Sequence, residues 1–132
     1  MTDPARDPAT AIGSLNAAVQ RYFDLMYDWD LSQFDRVFRP TAQLHGFRNG
    51  EMRLLTAAAY REALARGPSP RSLKAPREEE ILLIDIASAT QALAKVRVRI
   101  NAIVYLDYLS WHRIGGDWLI TAKSFHVESE AA

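Results

Sequence analysis

The chain has 132 residues, 48% of them hydrophobic, and its 16 Lys and Arg residues balance its 16 Asp and Glu residues. This length predicts a single domain over residues 1–132 with a substantial core. The zero formal net charge argues against nucleic acid or an anionic membrane as a partner. The lack of cysteine excludes disulfides, thiol catalysis and Cys-ligated metals, and it fits a reducing compartment.

The N-terminal residues predict a short leader rather than a targeting segment. Residues 1–7 contain Asp-Pro pairs and no apolar core of the signal-peptide kind, so we expect a flexible leader. No apolar run in the chain reaches the length of a membrane span. We therefore expect a cytoplasmic protein.

Two helices are predicted next. From about Pro8 to Asp28, apolar residues recur every three or four positions, which is the pattern of an amphipathic helix that covers a sheet. The predicted stripe consists of Ile12, Leu15, Val19, Tyr22, Phe23 and Met26. Asp30 has the character of an N-cap, with Gln33 as its capping-box partner, and predicts a short helix that reaches Phe38 and ends at Pro40.

The middle of the chain predicts two hairpins separated by a helix. Asn49-Gly50 favours a tight turn between residues 41–55. A third helix is expected from Thr56 to about Arg66, with Ala57, Tyr60 and Leu64 on its apolar stripe, followed by a proline-containing loop to residue 80. Residues 81–100 then predict a hairpin that turns near residues 88–90. The alternation changes phase near Asn101, which we interpret as a β-bulge that curls the sheet.

The last predicted hairpin, within Val96–Val127, turns at Gly115-Gly116. A loop of two or four residues places one set of side chains on a common face, whereas a loop of three would shift the pairing by one. The set comprises Tyr105, Asp107, Leu109, Trp111, Trp118, Ile120, Ala122, Ser124 and His126. Large rings with a few polar groups are typical of a ligand pocket, although they also suit a core face with polar residues at its exposed end.

The order of elements predicts an α+β fold in which N-terminal helices cover one face of an antiparallel or mixed sheet. The opposite face of the last hairpin carries the apolar or aromatic residues Leu106, Tyr108, Leu119, Phe125 and Val127, together with Ser110, His112, Thr121 and Lys123. Because the helices can cover only one face, this pattern predicts a homodimer through the other.

The chain resembles the nuclear transport factor 2-like superfamily, which includes SnoaL-like cyclases and ketosteroid isomerase, and within it the branch described as putative lumazine-binding. The resemblance covers Leu15 to Val127. Its most specific part is "DYLSWHRIGGDWLITAKSF" from Asp107 to Phe125, although Trp111 stands where an aliphatic residue is more usual. Such a resemblance implies a cone-shaped, curled sheet, and it says more about fold than about function.

The resemblance also implies a cavity between the sheet and the helices, where active members of the superfamily place carboxylate, His or Tyr groups for proton transfer. On this basis the catalytic candidates are Asp107, His45 and Tyr22. The residues expected to contact a ligand are Tyr27, Tyr105, Trp111, Trp118 and His126. A Tyr on an amphipathic stripe is also an ordinary core residue with its hydroxyl at the edge.

Metal and nucleotide sites have no support in the sequence. His45, His112 and His126 lack the spacing of metal ligands, so no metal is predicted. No Gly-rich loop joins a strand to a helix, so no cofactor is predicted.

Two functions therefore remain for the chain. One is a domain that binds a small, partly apolar organic molecule, with proton-transfer catalysis of isomerase or dehydratase type left open. The other is a non-catalytic accessory or dimerisation domain whose cavity is filled by its own side chains, such as Trp111 and Trp118.

Overall fold

The computed structural model describes residues 8–130, so the predicted leader at residues 1–7 lies outside the described residues. Within this range the chain forms two α-helices, one 3-10 helix and six strands. In chain order they are α1 (Pro8–Asp28), the 3-10 helix (Leu31–Arg36), β1 (Phe38–Arg48), β2 (Glu51–Thr56), α2 (Ala57–Ala65), β3 (Glu79–Ser88), β4 (Gln91–Ile100), β5 (Ile103–Ile114) and β6 (Asp117–Glu130).

The strands form one mixed sheet in the order β2-β1-β6-β5-β4-β3. Only β1 and β6 are parallel neighbours among the described strands. The helices contact one face of this curled, unclosed sheet, here named the inner face, whose buried residues include Val96, Leu109 and Ile120. The predicted α+β cone is confirmed. Neither described α-helix is both long and apolar enough to cross a membrane.

The first helix has the predicted bounds, and its buried stripe includes Leu15, Val19 and Tyr22. Ile12 was wrongly placed on that stripe, because its side chain is 46% exposed. Ala11 takes the buried position instead, and adjacent helical residues point about 100° apart.

The short element after α1 is a 3-10 helix rather than an α-helix. Asp30 is its N-cap as predicted, and its carboxylate accepts a hydrogen bond from the Ser32 backbone N–H. Gln33 does not complete a capping box, because the Asp30 backbone N–H donates to the Asp28 carboxylate at 3.0 Å. The helix ends at Arg36, and Pro40 lies within β1.

The predicted turns at Asn49-Gly50 and at residues 89–90 are confirmed, as is α2 with Thr56 as its N-cap. The phase change at Asn101 was wrongly interpreted as a bulge. Ile100 pairs with Ile103 across a two-residue turn, and Asn101 adopts φ 55°. Asn tolerates this left-handed conformation, which permits a tight turn.

The last hairpin turns at Gly115-Gly116 as predicted, with a loop of two residues, and Trp111 pairs with Ile120. Beyond this pair an extra residue in β6, Thr121, shifts the register, so that Asp107 pairs with Phe125 rather than Ser124. A bulge of one residue moves every later side chain to the opposite face. The inner face therefore carries Lys123 and Phe125, and the predicted inner positions of Ala122, Ser124 and His126 are wrong.

Candidate functional site

An open space of about 450 Å³ lies beside the inner face and is named the pocket from here on. Residues of α2, of β1 and β2, of the β4–β5 turn and of β5 and β6 enclose it. Its walls are mainly apolar or aromatic. The lining residues are Trp29, Leu44, Arg48, Arg53, Leu55, Tyr60, Ala63, Leu64, Ile100, Asn101, Ile103, Tyr105, Lys123 and Phe125.

Gly46 determines how closely β1 approaches the pocket wall. It pairs with Phe125, and a Cβ atom at this position would collide with the Phe125 ring and its carbonyl oxygen. The absence of a side chain at Gly46 therefore leaves room for the Phe125 ring at this crossing of β1 and β6.

A buried polar cluster lies next to the pocket and links α1 to the sheet. Asp107 on β5 is 1% exposed, and its Oδ2 accepts a hydrogen bond from the Tyr22 hydroxyl. The Lys123 ammonium lies 3.7 Å from the same oxygen. Lys123 lines the pocket, whereas Tyr22 and Asp107 do not, so Lys123 connects the buried carboxylate to the pocket wall.

Aromatic rings surround Lys123. Its ammonium lies 5.2 Å from the ring centre of Tyr22 and 5.0 Å from that of Tyr60, within the range of cation–π attraction. It also donates a long hydrogen bond of 3.5 Å to the Tyr60 hydroxyl. The side chain is held by charge and ring contacts as well as by apolar packing.

Burial lowers the pKa of Lys123, but the Asp107 carboxylate and Tyr60 outweigh it, so the pKa lies above its ordinary value. Lys123 is therefore protonated at neutral pH. A protonated amine cannot attack a carbonyl carbon, but it can bind an anion or stabilise an oxyanion.

Tyr22 remains neutral for a different reason. Burial, with the adjacent Asp107 charge, raises its pKa well above the ordinary value of 10.0. The phenol therefore keeps its proton and donates it in the hydrogen bond to Asp107. The other carboxylate oxygen of Asp107, Oδ1, is buried and has no hydrogen-bond partner within residues 8–130.

The structure brings together some of the predicted candidates and separates others. Tyr22 and Asp107 are in direct contact, and Tyr105 lines the pocket. Trp111 and Trp118 are core residues at the filled end of the cone and do not line the pocket. Both tryptophans lie on the predicted inner face, but the helices cover this part of the face.

Tyr27 also lies away from the pocket. Its hydroxyl donates to the Ala75 carbonyl at 2.9 Å, and the Arg77 guanidinium lies 5.2 Å from its ring centre. These contacts hold the proline-containing loop against α1. The structure therefore places Tyr27 in a packing position.

Both candidate histidines lie on the outer face of the sheet. Leu44 and Gly46 are buried on the inner face, so alternation directs His45 outward. The bulge at Thr121 places His126 on the outer face as well. Neither lines the pocket. Within residues 8–130 no three His, Cys, Asp or Glu side chains lie close enough together to hold a metal ion.

Sequence reasoning missed Lys123 and Tyr60. Lys123 was assigned to the outer face because the bulge was not expected, although the apolar residues Phe125 and Val127 share its parity. Tyr60 was predicted on the apolar stripe of the third helix and was considered only as a packing residue. The parity of Phe125 and Val127 was the available signal for the change of face.

The curled mixed sheet with helices on its inner face is the fold of solved proteins described as NTF2-like. A family model described as "Putative lumazine-binding" matches residues 10–126, and the chain belongs to that family. A search of the curated proteins found no match.

Solved structures with the same fold share little sequence with this chain. A protein of unknown function from Silicibacter pomeroyi, described as NTF-2 like, is 19% identical with a TM-score of 0.80, over 92% of this chain and 99% of that chain. One from Shewanella baltica is 16% identical with a TM-score of 0.80, over 94% and 98%. A ketosteroid isomerase-like protein from Erwinia carotovora atroseptica is 12% identical with a TM-score of 0.69, over 89% and 95%.

Proposed function

We propose that this chain binds a small, partly apolar organic molecule in the pocket. The observation that carries the proposal is an open volume of about 450 Å³ with mainly apolar walls that include Lys123 and two tyrosines. Small-molecule sites have about this size and combine apolar walls with a few placed polar groups. Membership of the putative lumazine-binding family agrees with a small ligand.

Proton transfer of isomerase or dehydratase type is a narrower proposal. It is supported by the buried Asp107 carboxylate, whose Oδ1 has no hydrogen-bond partner in the described range, beside the Lys123 ammonium. Asp107 would act as the base and Lys123 would stabilise the negative charge that develops on the substrate. Because Asp107 does not line the pocket, whereas Lys123 does, the structure supports ligand binding better than catalysis.

The rival proposal of a filled cavity applies to only one end of the cone. Trp111, Trp118 and the Tyr22–Asp107 contact occupy the space under α1. The end under α2 remains open. We therefore favour a ligand-binding domain over a purely structural one, and a cytoplasmic location remains a prediction from the sequence.

Filling the pocket should abolish ligand binding. Ala63 lines the pocket from α2, so Ala63→Trp would place a large ring in the open space. Ala58→Trp is a matched control, because Ala58 is an exposed residue of the same helix outside the pocket lining. Both variants and the unmodified protein would be screened by ligand-observed NMR against small aromatic compounds.

We expect compounds that bind the unmodified protein and the Ala58→Trp variant to lose about tenfold or more in affinity for Ala63→Trp, which corresponds to about 1.4 kcal/mol. A screen in which no compound binds the unmodified protein would contradict the proposal. Binding that persists unchanged in Ala63→Trp would show that the ligand binds elsewhere.

We also propose a homodimer through the outer face. One row of paired residues crosses all six strands on this face: Leu83, Lys95, Tyr108, Ser124, His45 and Leu54. Leu54 and Leu83 at its two ends are more than half exposed, and so are the adjacent Phe47 and Met52. Exposed apolar patches of this kind commonly mark interfaces.

Light scattering at micromolar concentration should give the mass of a dimer. Phe47→Glu should shift the protein towards monomer, because it places a charge at the proposed interface. Leu73→Glu is the control, since Leu73 is similarly exposed but lies in the loop before β3. A monomeric unmodified protein, or a dimer unaffected by Phe47→Glu, would overturn this proposal.

A further inference from the structure

The charged groups that line the pocket all have the same sign. Among the described residues in its wall, Lys123, Arg48 and Arg53 are cationic and none is acidic. The chain as a whole has equal numbers of acidic and basic residues. The pocket therefore concentrates positive charge within apolar walls.

The acidic partners of these cations lie outside the pocket lining. Asp107 lies beside Lys123, and Glu130 and Glu51 lie 3.6 Å and 3.7 Å from the guanidinium groups of Arg48 and Arg53. The two glutamates are more than half exposed, and exposed ion pairs of this length contribute little stability. Both arginines can therefore turn towards a bound anion at low cost.

Lys123 retains hydrogen-bonding capacity. An ammonium has three donors, and its nearest acceptors are Tyr60 at 3.5 Å, Asp107 at 3.7 Å and the Met26 sulfur at 3.9 Å. The two oxygens lie beyond the normal range of about 2.7–3.2 Å for an N–H···O hydrogen bond. A ligand oxygen in the pocket can approach this ammonium more closely than its present oxygen neighbours do.

We infer that the pocket selects small organic anions, and that the Lys123 ammonium binds the carboxylate of an otherwise apolar molecule. This inference rests on the proposed ligand-binding function and specifies its substrate class. The apolar part of the ligand packs against Leu55, Leu64 and Ile103 in the walls. A cationic ligand is excluded, because its charge would be desolvated beside three like charges.

The test compares two probes of nearly equal shape, 2-naphthoate and 2-naphthamide, by isothermal titration calorimetry at neutral pH. The naphthoate should bind the unmodified protein about 10- to 100-fold more tightly than the amide, the range expected for a hydrogen bond to a charged group. This difference in affinity should decrease only partly at high salt, because salt screens a buried charge pair weakly.

The variant that tests Lys123 is the double substitution Lys123→Met with Asp107→Asn. It removes the ammonium without leaving the Asp107 carboxylate as an unpaired buried charge. Arg97→Met with Glu128→Gln is the charge-matched control, because it also removes one ion pair, and neither of these outer-face residues lines the pocket. We expect the Lys123→Met, Asp107→Asn variant to lose the preference for naphthoate and the control variant to keep it.

The possible results separate this inference from the proposed function. Equal affinity of the unmodified protein for naphthoate and naphthamide would overturn the selection of anions while supporting a ligand pocket. A preference that survives in the folded Lys123→Met, Asp107→Asn variant would overturn the role of Lys123. If neither probe binds, the proposed function fails for aromatic ligands and the inference fails with it.

Discussion

Replacing Trp118 by alanine should lower the free energy of unfolding by about 3–5 kcal/mol, the usual cost of truncating a large buried ring. Trp118 is 1% exposed and belongs to the core cluster under α1. Its indole N–H donates to the Ser14 hydroxyl at 3.0 Å, which ties the last hairpin to the first helix. The alanine variant would lose both the packing and this hydrogen bond. Denaturant melts would measure the loss.

Two further variants help to interpret the effect of Trp118→Ala. One separates the packing of the ring from its hydrogen bond, and the other is a control at an exposed position. Trp118→Phe retains an aromatic ring but cannot donate to Ser14, so it should cost less than the alanine variant. Leu73→Ala removes an apolar side chain from an exposed position in the loop before β3 and should change stability by about 0.5 kcal/mol or less. A loss below about 1 kcal/mol for Trp118→Ala would contradict the buried position of this ring.

Much of the fold could be predicted because its turns depend on local conformational preferences. Asn49-Gly50 and Gly115-Gly116 adopt positive φ angles that favour Asn and Gly, and both form the predicted hairpins. The spacing of Leu15, Val19 and Tyr22 likewise predicted both ends of α1. These signals act over a few residues, so no tertiary information is needed to interpret them.

The two errors in the sheet have one cause. A change in the parity of apolar residues indicates that the strand phase has shifted, but a bulge and a tight turn produce the same change. At Asn101 the change in parity was interpreted as a bulge, whereas the structure has a turn. Between Ile120 and Phe125 the same kind of shift occurs at Thr121, where the structure has a bulge.

The site was predictable only as far as the register was correct. The extra residue lies in β6 and leaves the alternation of β5 intact, so the inner position of Asp107 was predicted correctly, as was that of Tyr22 on the helix stripe. Lys123 follows the bulge, and its position beside Asp107 depends on one extra residue in β6. The pocket itself depends on how far α2 stands from the sheet, which local patterns do not specify.

The Lys123–Asp107 pair should dominate the electrostatic contribution to stability. The side chain of Lys123 is 5% exposed and that of Asp107 is 1% exposed, so removing either charge leaves the other buried without its opposite charge. Lys123→Met or Asp107→Asn alone should each cost about 3–5 kcal/mol. The double variant should cost less than the sum of the two, with a coupling energy of about 0.5–3 kcal/mol.

The pair between Arg97 and Glu128 is the appropriate comparison. Its atoms approach to 2.7 Å, closer than the 3.7 Å of the buried pair, but it lies on the exposed outer face. Water and salt screen an exposed pair, so Arg97→Met should destabilise the protein far less than Lys123→Met. A double-variant cost equal to the sum of the single costs would show that Lys123 and Asp107 do not interact.

The pH dependence of stability provides an independent measure of the same cluster. The folded-state pKa of Lys123 lies above its ordinary value of 10.5, and that of Tyr22 lies well above 10.0. A group whose pKa is raised on folding binds its proton more tightly in the folded state, so its contribution is complete below the ordinary pKa and is lost as the pH rises through the folded one. Denaturant melts from neutral pH to values above 10.5 should therefore show falling stability. The fall should be shallower in the double variant, which lacks both the Lys123 ammonium and the Asp107 charge that raises the pKa of Tyr22, and an identical slope would exclude this cluster as its source.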